Sequence, residues 1–81
     1  MNVFLDDPTG PEPAVVVGND AADPVTGEVE WVAGERSGTF TVDLGPASRA
    51  TVGTVDPPAE ADAIDLVLSV EGRSVETSYP R

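Results

Sequence analysis

The sequence predicts an all-β protein, a small antiparallel β-sandwich of about seven short strands. Three observations lead there. Eight glycines and eight prolines divide the 81 residues at short intervals, the spacing expected of many short strands. Apolar residues alternate with polar ones, and no segment holds a helical 3.6-residue period over the ~11 residues that would mark a helix. Hydrophobic residues make up 40% of the chain, which argues for a packed core rather than a disordered acidic tail. Residues 1–81 are expected to form one domain.

Residues 3–5 read as a first edge strand. Residues 6–13 must be an irregular loop or tether, because Pro8, Pro11 and Pro13 forbid helix and break a ladder. A short strand over 14–18 leads into a turn-rich stretch, 19–24. Residues 25–33 and 38–44 then flank Gly34-Glu35-Arg36-Ser37. A two-residue type II′ turn at Gly34-Glu35 sets Val29 against Phe40 and Trp31 against Gly38, whereas a four-residue loop sets Trp31 against Phe40. Parity is the same either way. Val29, Trp31, Phe40, Val42 and Leu44 face inward, and Glu28, Glu30, Thr39, Thr41 and Asp43 face water.

Gly45-Pro46-Ala47 turns the chain into a strand over 48–55, followed by an acidic loop through Asp62. In the last hairpin a two-residue turn at Glu71-Gly72 sets Leu68 against Val75, Leu66 against Thr77 and Ile64 against Tyr79. A slip of one residue would bury Asp65, Ser69, Ser74, Glu76 and Ser78, so the register is strongly specified.

Charge excludes more than it assigns. Fifteen Asp and Glu face four arginines and no lysine, a formal charge of −11. Such a balance repels itself in dilute buffer. The Debye length falls from about 10 Å at 0.1 M salt to about 3 Å at 1 M, so molar salt silences that repulsion. The composition is that expected of an extreme halophile. Arg36, Arg49, Arg73 and Arg81 stand singly along the chain, without the basic footprint that nucleic acid requires. No apolar stretch approaches the ~18 residues of a membrane span, so membrane insertion is not expected. Residues 1–7 lack the basic and apolar regions of a signal peptide. Neither cysteine nor histidine is present, which removes disulfides, Cys/His zinc sites and Ser-His or Cys-His nucleophile pairs.

From Ala14 onward the order of features resembles an immunoglobulin-like sandwich of the CARDB (cell-adhesion-related) type. The residues that carry the resemblance are Val15-Val16-Val17-Gly18-Asn19-Asp20, a valine-rich strand before an asparagine turn. Val42-Asp43-Leu44-Gly45-Pro46-Ala47-Ser48-Arg49-Ala50-Thr51-Val52 looks like the family's leucine-proline turn leading into a Thr/Val strand, with Gly45-Pro46 in reversed order. Residues 64–73 look like its closing hairpin. The resemblance implies an immunoglobulin-like fold and a non-catalytic interaction role, with no catalytic residues to carry over.

The carboxylates are the only candidates for chemistry. Asp6 and Asp7 would join Asn19, Asp20 and Asp23 at one end of the sandwich if they held Ca²⁺, which takes six to eight oxygens. A solvated acidic loop explains the same residues without a site. No catalytic group and no cofactor is expected. Val15, Val17, Val32 and Val67 read as an outward apolar stripe and are the candidate partner contacts. The expected function is a structural or interaction module that binds protein, either a larger assembly or further copies of itself. A virion accessory protein (capsid decoration or tail) is the first setting, given the missing leader. A cell-surface, pilus or archaellum domain is the second, a carbohydrate- or calcium-binding module the third, and a cytoplasmic setting is less expected.

Overall fold

A computed structural model describes residues 2–81. The described residues form seven strands and no helix: β1 (Asn2–Asp6), β2 (Ala14–Asn19), β3 (Val25–Ala33), β4 (Arg36–Leu44), β5 (Ser48–Thr54), β6 (Ala63–Val70) and β7 (Arg73–Pro80). They make two antiparallel sheets, one ordered β1-β2-β5 and the other β4-β3-β6-β7. The chain changes sheet after β2, β4 and β5, so β2 pairs with β5 and β3 with β6. This is a Greek-key connectivity within a small β-sandwich.

Turn chemistry sets the registers. Ala33 pairs with Arg36, which leaves Gly34-Glu35 as the whole turn. Of these two only Gly34 has positive φ, 62°, as type II′ demands at its first central position. Val29 therefore faces Phe40, and Trp31 lies opposite Gly38. The indole covers that glycine: a Cβ there would stand 2.6 Å from Trp31 Nε1. Glu71 and Gly72 have φ of 45° and 80°, the doubly positive pattern of type I′. They align Leu68 with Val75, Leu66 with Thr77 and Ile64 with Tyr79.

The two sheets enclose one core. Val29, Trp31, Val42 and Leu44 enter it from β3 and β4, and Ile64, Leu66, Leu68 and Val70 from β6. Val3 and Leu5 of β1 and Val15 and Val17 of β2 close it from the other side, with Phe40 and Tyr79 half-buried at its margin. Each fully buried Leu, Ile or Val contributes roughly 1.5–3 kcal/mol of transfer free energy.

Val15 and Val17 are thus not part of an outward stripe. Both are fully buried. β2 is the central strand of its sheet, and the pairs Val3–Val17 and Leu5–Val15 put one parity of both strands against the core. The outward residue of the run is Val16, and it is only 8% exposed. Three consecutive buried valines hide the alternation from which parity is read.

The proline-rich segment lies between β1 and β2, with Asp6 as the last residue of β1. Gly10 N–H donates to Asp7 C=O at 3.0 Å in a local turn within it, and Val55 N–H donates to Pro13 C=O at 2.8 Å, fastening its far end to the chain after β5.

Candidate functional site

The outer face of the β4-β3-β6-β7 sheet is built by strict alternation. Its charged residues are Glu28 and Glu30 on β3, Asp43 on β4, Asp65 on β6 and Glu76 on β7, all exposed and all carboxylates. Val32 and Val67 lie among them. Val67 is flanked across the strands by Glu30 and Glu76, and Val32 by Ser37 and Asp65. Val32 is 39% exposed, and Val67 is half-buried. A shallow hollow of about 390 Å³ runs over β6 and β7, lined in part by Asp65, Val67, Glu76 and Ser78. Two of the four candidate contact valines therefore sit on a surface, and they share it.

The outer face of the β1-β2-β5 sheet differs in kind. Phe4 lies directly opposite Val16. The Arg49 guanidinium of β5 stands over the Phe4 ring, 5.7 Å from its centroid, the geometry of a cation–π contact. Phe4 on one side and Thr51 on the other flank Val16, which is buried although it lies on the outward face.

Beside Arg49 an open groove of about 320 Å³ is lined by Asn2, Gly18, Asn19, Asp20, Ala47, Ser48 and Arg49. Its frame is the buried Asn19, 2% exposed. The Asn19 Nδ2 group donates to Asp23 C=O at 2.8 Å and to Gly45 C=O at 3.0 Å, while its Oδ1 accepts from Ala21 N–H at 3.1 Å. The last is an Asx turn, in which the side chain imitates a backbone turn. Ala47 N–H donates to Ala21 C=O at 3.1 Å, and Ser48 Oγ donates to Gly45 C=O at 2.6 Å. One amide thereby ties the 20–24 turn to the β4–β5 corner. Its hydrogen-bonding capacity goes into the loops, so its role here is architectural.

The candidate calcium set does not converge. Asp6 pairs with Ala14 at one end of β2, and Asp7 follows it, whereas Asp20 and Asp23 lie beyond Asn19 at the other end. The length of β2, roughly 16 Å at ~3.3 Å per residue, separates the two groups. Among the described residues no group of three or more acidic side chains is arranged to hold a metal ion. The ends of the sandwich carry polar staples instead. Arg36 Nη1 donates to Asp56 Oδ2 at 2.6 Å and to Asp56 C=O at 3.2 Å, joining the β3–β4 turn to the loop after β5. Both side chains are more than half exposed, so the ion pair adds little net stability. No family model matches the sequence, and no curated protein or solved structure proves similar to it.

Proposed function

We propose that this chain is a non-enzymatic structural or protein-interaction module that docks onto a larger assembly in an extreme halophile. The first setting is a virion, as a capsid decoration or tail protein. The carrying observation is the outer face of the β4-β3-β6-β7 sheet, where Val32 and Val67 lie inside a field of carboxylates. At molar salt a Debye length of about 3 Å reduces those charges to a hydrated rim, and the apolar centre becomes available for contact. Such a surface suits a broad protein contact better than a small ligand, which prefers an enclosed cleft.

A cell-surface, pilus or archaellum domain is the second setting. The CARDB-type resemblance favours it, and of its matching residues Asn19, Gly45 and Ser48 build the Asn19-centred loop end. Mass spectrometry of purified virions, envelope and cytosol from the source culture separates the settings. Stoichiometric recovery in virions is expected, and recovery with the envelope transfers the module to the cell surface. Recovery only as free cytosolic protein overturns docking altogether.

A further inference from the structure

A sandwich of two open sheets has four edge strands, and native proteins blunt such edges to prevent unwanted pairing. Three of them here carry recognisable devices. β1 is only five residues long and ends in Asp6. β5 is the bulged partner of β2, with a register shift opposite Val15/Val16, and carries Arg49. β7 has Glu76 at its centre and ends at Pro80, which has no N–H.

β4 has no such device over its central six residues. It is nine residues long, contains no proline and pairs with β3 without a bulge. Its charges stand near its ends, at Arg36 and Asp43, and the stretch Ser37-Gly38-Thr39-Phe40-Thr41-Val42 between them is uncharged.

The turn determines which backbone groups are free. Ala33–Arg36 closes a two-residue turn and is a hydrogen-bonded pair, so Arg36, Gly38, Phe40, Val42 and Leu44 direct their N–H and C=O groups toward β3. Ser37, Thr39, Thr41 and Asp43 direct theirs away from the sheet, where β4 is the terminal strand. All four residues are exposed.

We propose that β4 is a self-pairing edge, and that its occupant is β4 of a second copy of this chain, antiparallel about a two-fold axis through Phe40. In this register Ser37 meets Asp43 of the partner copy and Thr39 meets Thr41 of the partner copy. Every free edge group of the four residues is then bonded. Registers displaced by two residues either way leave some of these groups unpaired, and one of them sets Glu35 against Asp43 of the other copy. The centred register opposes no like charges: Arg36 faces Leu44 and Asp43 faces Ser37. It also preserves sidedness, so the outer faces of the two sheets become one continuous surface and the two Phe40 side chains meet at the axis. Each chain carries −11, so the pairing strengthens with salt. It does not depend on docking to a larger assembly.

Sedimentation velocity of the full chain across 0.1–4 M KCl tests the pairing, and mixed-cysteine cross-linking tests its register. The expected mass at high salt is twice the 8.3 kDa of one chain, falling to one chain at low salt. Native cysteine is absent, so T39C and T41C report without background. Opposed residues of a hydrogen-bonded pair have Cα atoms about 5.5 Å apart, within the usual disulfide range. Mixing the two variants should give several-fold more disulfide-linked dimer than either alone. A third variant, T41P, removes one edge N–H and should abolish the dimer while keeping the β-sheet circular dichroism spectrum. A single-chain mass at every salt concentration overturns the proposal. So does a dimer that cross-links equally in all three samples, or a folded T41P that still dimerises. If T41P does not fold, the cross-linking ratio decides.

Discussion

On β3 and β6, the central strands of the wider sheet, burial alternates residue by residue, while on β2, the central strand of the β1-β2-β5 sheet, it does not. β6 runs Ile64 buried, Asp65 exposed, Leu66 buried, with Val67 half-buried before Leu68 is buried again. β2 runs Val15, Val16, Val17, Gly18 and Asn19, all buried. A wide sheet with a two-residue turn at each hairpin holds its register by pattern alone and can leave its far face to water. The narrow sheet has a single central strand, and its outer face is covered locally by Phe4 and Arg49. One outer face is therefore left open to water, and the other is partly closed by its own side chains.

Substitutions break this comparison in graded steps. The largest effect is expected where the sheets share the core: Leu66→Ala should cost about 3–4 kcal/mol, read from urea unfolding at fixed salt. Asn19→Ala comes next, at about 2–3 kcal/mol, because it orphans the Asp23 and Gly45 carbonyls and the Ala21 N–H together. An Asn19→Ala loss below ~0.5 kcal/mol would mean that the loop end is held by other contacts.

A paired test sharpens the contrast of outer faces. Val16→Thr should cost about 1 kcal/mol or more, since the hydroxyl enters a covered site, and Val32→Thr should stay within about 0.5 kcal/mol. Equal losses would abolish the distinction. The smallest effect belongs to Glu30→Gln, which relieves repulsion from Glu28, Asp65 and Glu76. It should stabilise by a few tenths of a kcal/mol in dilute buffer and by nothing measurable at molar salt. A salt-independent gain would point to a local hydrogen bond rather than to the field of the face.

Most of the β4-β3-β6-β7 sheet was legible beforehand because alternation and turn residues agree. Gly72 supplies the positive φ of the closing two-residue turn and its cross-strand pairs follow by counting, while at Gly34 only the parity followed and the Ala33–Arg36 pair decided the turn length. Val32 and Val67 were legible as outward valines for the same reason. Val15 and Val17 were not, because Val15-Val16-Val17 carries no parity signal. The remote placement of Asp6 and Asp7 from Asp20 and Asp23 was hidden as well, since it depends on which end of β2 each loop occupies.

By itself, then, the sequence determined the all-β class, the register of the closing hairpin, the parity of the β3–β4 hairpin and the acidic character of the surface. These are local properties, set by side-chain period, turn conformation and charge count. Only the tertiary structure decided that β2 is a central strand buried on both faces, that Arg49 covers Phe4, and that Asn19 bonds to Gly45, 26 residues further along the chain. Each of these depends on which strands become neighbours. Strand adjacency arises from burying two sheets against each other, a non-local balance that no single segment encodes.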